Sequence, residues 1–155
     1  MSKNNISAVD IKTLREQTGA GVMDIKTALA EAGGDNKKAL LILKEKGVAK
    51  AAKKGERATG QGLIHSYIHG EGRIGVLLEV NVETDFVARN AEFRDLVHDL
   101  ALHIAASSPE NVDELLGQPF VRDGATTVRD VVNQKIAKLG ENIKVKRFTR
   151  YVLGE

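Results

Sequence analysis

The chain has 155 residues, 42% apolar and 28% charged, with a net charge of +2. That length suits one domain or a small module beside a larger one, and that charge alone does not argue for nucleic acid. There is no cysteine, which excludes a disulfide framework, cysteine-based zinc sites and thiol catalysis. No apolar run approaches the roughly 20 residues of a membrane span, and the N-terminal MSKNNISAVD offers no apolar stretch for a signal peptide, so a soluble cytoplasmic protein is the default expectation.

Residues 1–48 predict three short helices. Ser7 is a good N-cap, Asp10 follows three residues later, and Ile6 and Ile11 stand at the staple positions around it. That helix should stop before TGAG, where Gly19 and Gly21 free the backbone. Val22, Ile25, Leu29 and Ala32 recur at helical spacing until Gly33 and Gly34 end the second helix. Asp35 caps a third, which bears Ala39, Leu40 and Leu43 and which Gly47 should close. A bundle this small is marginal alone, and such modules usually present a surface to a partner.

Residues 49–61 are basic, rich in Ala and Gly, and poor in anything to bury. They predict a linker, helical in its first half, whose Lys50, Lys53, Lys54 and Arg57 form a solvated charged face.

Residues 62–155 predict an α+β core. LIHSYIH and IGVLLEVNVE alternate with period two. Ile74, Val76, Leu78, Val80 and Val82 face one way, and Leu77, Glu79, Asn81 and Glu83 the other. Clean alternation implies a sheet with one covered face, hence antiparallel with its helices on a single side. A long helix should run from about Asp85 to Ala106. After GQPFV, Thr127 and Asp130 cap another helix, carrying Val128, Val131, Val132, Ile136 and Leu139, which Gly140 ends. NIKVKRFTRYVL is a last strand whose alternation slips near Arg147, the mark of a bulge. The expected fold is α+β: an N-terminal three-helix bundle, then a β-β-α-α-β core with a three-stranded antiparallel sheet and helices packed on one face.

Little in the chain looks catalytic. GEGRIG, from Gly70 to Gly75, matches the G-x-G-x-x-G of dinucleotide loops, but a strand follows where a helix N-terminus is needed, so a hairpin turn explains it better. His65 and His69 share a strand face, and His98 and His103 lie five apart on a helix, a poor spacing for shared ligands; pairing with nearby acids or plain exposure is expected. Ser66, Ser107 and Ser108 have no elbow motif around them. An enzyme is not expected, nor is a cofactor or bound metal.

One junction stands apart. In VNVETDFVARNAEF a strand becomes a helix at Thr84, Asp85 and Phe86. The buried stripe Phe93, Val97, Leu100 and Ile104 extends back to Phe86, which puts the ring in the core. Asn90 lies on the same line, however, where an unpaired amide would be costly, and a first turn projecting beyond the sheet would leave Phe86 uncovered. Physical reasoning from these residues leaves core and probe equally open.

LREQTGAGVMDIKTALAEAGGDNKKALLILKEKGVAKAAKK, GRIGVLLEVNVETDFVARNAEFRDLVHDLALHIAA and IAKLGENIKVKRFTRYVLGE closely resemble, in order, the N-terminal module, core and C-terminal end of the elongation factor Ts family. TGAGVMDIK with ETDFVARN is a very specific pair. The resemblance implies a guanine-nucleotide exchange factor for elongation factor Tu, in the bacterial cytoplasm or an organelle. It implies an N-terminal bundle like a ubiquitin-associated domain, docking on the partner's GTP-binding domain through Leu14, Thr18, Gly19, Ala20, Gly21, Val22 and Met23. It further implies that Asp85 and Phe86 insert beside the partner's nucleotide, with Thr84 capping the helix and Val87 holding its first turn. Ile25 and Val82 stand where many members have Cys. Between Ala106 and Gln118 the chain spends only about a dozen residues where members carry a longer helical insert, which leaves room for one core subdomain. Short members pair to complete their core. A homodimer is therefore a second partner that the resemblance allows, although part of the usual pairing surface is absent here.

Two other readings compete. One is a nucleic-acid-binding module using Lys50, Lys53, Lys54, Lys144, Lys146, Arg147 and Arg150, disfavoured because only Phe148 and Tyr151 interleave aromatics among them. The other is a shortened family member that docks without efficient exchange.

Overall fold

A computed structural model describes residues 6–155. The chain forms two compact units, one gathering the residues up to Gly55 with Asn133–Gly140, the other Glu56–Val132 with Glu141–Glu155. Residues 1–5, counted above in the three-helix module, lie outside the described residues.

The first unit holds α1 (Ala8–Thr18), α2 (Val22–Glu31) and α3 (Asn36–Lys54). The Ser7 hydroxyl accepts the Asp10 N–H at 3.0 Å and donates to the Asp10 carboxylate at 2.6 Å; such a cap contributes about 1 kcal/mol. Gly19 takes the left-handed conformation that ends α1, its N–H reaching the Arg15 carbonyl at 2.8 Å. Leu14, Ile25, Ala28, Leu29, Ala39 and Leu43 form the core, flanked by the half-buried Ile6 and Ile11.

Gly47 does not close α3, which runs on to Lys54. A mid-helix glycine costs about 1 kcal/mol relative to alanine, and packing on both sides overrides it. Lys46 pairs with Glu31 at 2.9 Å before the glycine; beyond it Lys50 pairs with Asp24 at 2.6 Å and Ala51 is buried. Lys50 is thus tied to an acid while both side chains stay on the solvated face.

The second unit is built on β1 (Gln61–His69), β2 (Ile74–Val82) and β3 (Ile143–Val152), antiparallel and ordered β1-β2-β3. GEGRIG forms the hairpin turn: Gly70, Glu71 and Gly72 all have positive φ, and the Arg73 N–H returns to the His69 carbonyl at 3.1 Å. Val76, Leu78, Val80 and Val82 are buried while Leu77 is exposed, as the alternation requires. Gly62 is constrained differently: at φ 151° a Cβ there would collide with the Val80 carbonyl oxygen and come within 2.8 Å of the Asn81 Cα. The bulge near Arg147 is present. The register shifts between Glu79 and Val80, where Glu79 faces Arg147 and Val80 faces Val145, leaving Lys146 as the extra residue.

The helix expected from Asp85 to Ala106 is two helices, α4 (Asp85–Ala88) and α5 (Ala91–Ser107). Asn90 caps the second, its Oδ1 accepting the Glu92 N–H at 2.8 Å. The amide that looked costly on a buried stripe is therefore a cap, and the wheel that carried Phe86 into the core stops at Ala91. Phe93, Val97, Leu100 and Ile104 are fully buried in α5, which packs on β1 and β2.

An unanticipated helix, α6 (Val112–Gly117), follows. Asn111 caps it, accepting the Glu114 N–H at 2.9 Å. The segment after it is pinned to α5 by His103, which is fully buried. Its Nδ1 accepts the Val121 N–H at 3.2 Å, so Nε2 carries the proton and donates to Gln118 Oε1 at 2.8 Å. Thr127 and Asp130 then cap α7 (Val128–Leu139) reciprocally, each backbone N–H donating to the other side chain at 3.2 Å. Among the described residues no helix is long and apolar enough to cross a membrane.

Candidate functional site

β2 ends at Val82, and the chain turns at once. Thr84 stays extended (φ −121°, ψ 151°), and its hydroxyl oxygen accepts the Val87 N–H at 3.3 Å to start α4. The four-residue helix is far too short to stand by its own hydrogen bonds. Val87 and Ala88 are buried and root it in the unit, whereas Phe86 is 83% exposed. Burying such a ring is worth about 2 kcal/mol, a gain forgone in the free chain. Single exposed apolar side chains are ordinary on protein surfaces; what marks this one is how firmly its turn is held.

The hold comes from the other end of the unit. Glu141 Oε1 accepts the Thr84 N–H at 2.9 Å, and Oε2 accepts the Thr84 hydroxyl hydrogen at 2.7 Å. In return Glu83 Oε1 accepts the Asn142 N–H at 2.7 Å and faces the Arg57 guanidinium at 3.5 Å. The Asn142 amide donates to the Arg57 carbonyl at 2.9 Å. On the outer side Asp85 pairs with Arg89 at 3.0 Å, an exposed i,i+4 contact worth well under 1 kcal/mol. Asp85, Phe86, Arg89 and Asn90 line a shallow surface hollow.

Thr84, Asp85, Phe86 and Val87 thus lie together, two supporting and two facing outward. Glu141 and Asn142 were missed by sequence reasoning, and Glu83 and Arg57 were read only as a strand-face and a linker charge, because no local pattern links positions 57 to 85 residues apart.

The N-terminal candidates divide similarly. Leu14 is 1% exposed, so it supports the module from within and offers no surface. The Thr18 hydroxyl donates to the Leu14 carbonyl at 2.6 Å and accepts the Ala20 N–H at 3.2 Å, shaping the turn through Gly19 and Ala20. Gly21 is the N-cap of α2 and supplies no side-chain acceptor. Val22 and Met23 stand outward, Met23 at 72% exposure. Val9 and Leu41 are further exposed apolar residues of the same unit.

Among the described residues none of the four histidines pairs with an acid, and His69 and His98 are exposed, as one of the two expectations had it. His65 Nε2 and His98 Nδ1 lie 3.2 Å apart, and His69 Nδ1 lies 2.9 Å from the Tyr67 hydroxyl. Partial burial, and secondarily the neighbouring His98, push the His65 pKa below its ordinary value. Of the seven cations weighed for nucleic acid, Lys50 pairs with Asp24, Arg147 with Glu79 at 2.7 Å, and Arg150 donates to the Ala105 carbonyl at 3.0 Å. The basic surface is correspondingly reduced.

The family model described as "Elongation factor TS" matches residues 83–155, a stretch that begins at Glu83 and includes Glu141. The chain is 46% identical over 195 residues to "Elongation factor Ts" of Moorella thermoacetica, covering 97% of this chain and 96% of that protein. The corresponding protein of Coprothermobacter proteolyticus is 47% identical over 195 residues, covering 97% and 99%. That of Synechococcus sp. (strain JA-3-3Ab) is 46% identical over 197 residues, covering 97% and 70%. Alignments of 195 positions exceed the 155 residues available here, so these relatives carry stretches that this chain lacks.

Proposed function

This chain belongs to the elongation factor Ts family of translation elongation factors, and from that membership we propose that it is a guanine-nucleotide exchange factor that releases GDP from elongation factor Tu. The observation that carries the reading is Phe86: an aromatic ring 83% exposed on a turn braced by buried neighbours and a two-point carboxylate grip. The exposed Val22 and Met23 provide the docking surface, and Phe86 with Asp85 enters beside the partner's nucleotide and its Mg²⁺. Mg²⁺ tolerates little departure from octahedral geometry, so a ring and a carboxylate pressed into its surroundings weaken the compensation of the diphosphate charge. Linkage makes the effect mutual: whatever ratio this protein costs GDP in affinity, GDP costs this protein. The empty partner is bound best, and incoming GTP displaces the factor. No covalent step is required of this chain.

Stopped-flow release of a fluorescent GDP from elongation factor Tu, over a range of concentrations of this protein, tests the reading. Saturable acceleration that is lost with Asp85→Ala or Phe86→Ala supports it. Binding without acceleration supports the second reading, a shortened member that docks without exchanging, which the excess length of the aligned relatives favours.

A second copy of this chain is a further proposed partner. Ile64, Ile68, Leu77 and Tyr151 are exposed on the uncovered sheet face, and contiguous apolar surface of this kind marks contact sites. Sedimentation equilibrium across micromolar concentrations decides it, since a single monomeric species throughout removes the homodimer.

A further inference from the structure

We infer that Glu141 is the positioning residue of the Asp85–Phe86 turn, acting on the partner only through Thr84; the inference rests on the exchange reading above. A threonine hydroxyl has one hydrogen to give and lone pairs with which to accept. Glu141 Oε2 takes the hydrogen at 2.7 Å, which leaves a lone pair of the same oxygen for the Val87 N–H at 3.3 Å. Without an acceptor in that place the hydroxyl rotates toward solvent and the cap loosens. The other carboxylate oxygen takes the Thr84 N–H at 2.9 Å, so one rigid planar group holds both the backbone and the side chain of the cap. Charge-assisted contacts of this kind are about twice as strong as neutral ones.

The grip is reciprocal in chain terms. Glu83 accepts the Asn142 N–H at 2.7 Å while Glu141 holds Thr84, so residues 83–84 and 141–142 are clasped in both directions. Little else fixes α4. It has four residues, its ion pair Asp85–Arg89 is exposed, and its roots are Val87 and Ala88. Burial decides that the turn stays attached; the Glu141 grip decides where its outer residues point. Placement on this scale governs rate, because a displacement of about 1 Å at a reacting centre can cost roughly a hundredfold.

The test uses the full chain and two readouts. In the free protein, amide hydrogen exchange at Val87 should quicken in Glu141→Ala, with Glu141→Gln intermediate because it retains one acceptor oxygen, while exchange at Leu78 and Val80 stays unchanged. In GDP release, Glu141→Ala should lower the maximal rate roughly tenfold and move the half-saturating protein concentration less than about twofold. Adding it to Phe86→Ala should produce no further loss, since two residues acting as one device are not additive. Unchanged exchange at Val87, or an unchanged maximal rate with an active wild type, overturns the proposal. A full additional loss in the Phe86→Ala background also overturns it, because Glu141 would then act by another route. A wild type that leaves GDP release unaltered overturns the exchange reading itself and this inference with it, an outcome distinct from the others.

Discussion

The Thr18–Met23 turn and the Glu83–Val87 turn, which carry the two proposed contacts, are stabilised in opposite ways. The first is held by its nearest neighbours: Thr18 bonds Leu14 and Ala20, Gly19 bonds Arg15, and the supporting core is a handful of aliphatic side chains. The second is held by residues 57 and 59 positions away through Glu141 and Asn142. Local caps are each worth about 1 kcal/mol and form early in a helix's own turn. A clasp between distant segments exists only when the whole unit has folded. The first turn suits a surface that must be present and roughly shaped; the second suits a side chain that must stand at one place.

The largest effect should come from removing the support of the first turn. Leu14→Ala leaves a cavity in a core that includes Ile25, Leu29 and Leu43 and should cost roughly 3 kcal/mol. Two compact units need not melt in one step, so the measurement is amide exchange read in each. Protection should fall at Ile25 and Leu29 and persist at Leu78 and Val80. Equal losses in both would mean that the turns share one fold, and the contrast would collapse.

Phe86→Ala should do the reverse. Its ring is solvent-exposed, so protection in the sheet unit should change by no more than about 0.5 kcal/mol. The maximal rate of GDP release should nevertheless fall tenfold or more, at least about 1.4 kcal/mol of the barrier. A marked loss of protection at Val87 and Val97 instead would identify the ring as part of the packing.

Which parts of this were legible in the sequence follows the same division. Ser7, Asp35, Thr127 with Asp130, the period of β2 and the slip at Arg147 each announce a local structure, and each is there. Gly47 misled because a glycine's cost is small against packing on both sides of it. Asn90 misled because a polar residue on a buried line was treated as a burial problem, when Asn followed by an acid two residues later is also a cap signal. Asn111 and Glu114 form a similar signal ahead of α6 that a dozen residues of apparent loop concealed. Glu141 was beyond reach: a lone acid between a helix and a strand carries no mark of the threonine it will meet.

Docking should be the gentler property to perturb. Met23→Ala removes an exposed side chain from a surface of several, and truncations of that kind commonly cost below 1 kcal/mol, roughly two- to fivefold in affinity. The half-saturating concentration for GDP release should rise by that factor with the maximal rate unchanged. A lower maximal rate would place Met23 in the exchange step and blur the line between the two turns.

Acid should separate the units most finely. Asp10 is held below its ordinary value of 3.8 chiefly by the Asn36 amide and then by the Ser7 hydroxyl, and Asp35 chiefly by the Lys38 N–H. A carboxylate whose folded pKa is depressed stabilises above its unfolded value and loses that contribution as the pH falls through the folded one, so the first unit should hold until below about pH 4. His65 is shifted down from 6.5, mainly by burial. For a base the depressed value means that the unfolded chain takes up the proton first. The neutral fold is at full strength above that pH, weakens as the pH drops through 6.5, and levels off beneath the folded value. His98 is the group that faces it, its Nδ1 3.2 Å from His65 Nε2, and it opposes a second charge there; Tyr67 in turn packs edge-on against His98. Amide protection of β1 should therefore begin to decline near pH 6.5 while α1 and α2 remain unchanged, and His65→Gln should flatten that decline. Parallel decline in both units, or none removed by His65→Gln, would show that acid acts on a feature common to the whole chain.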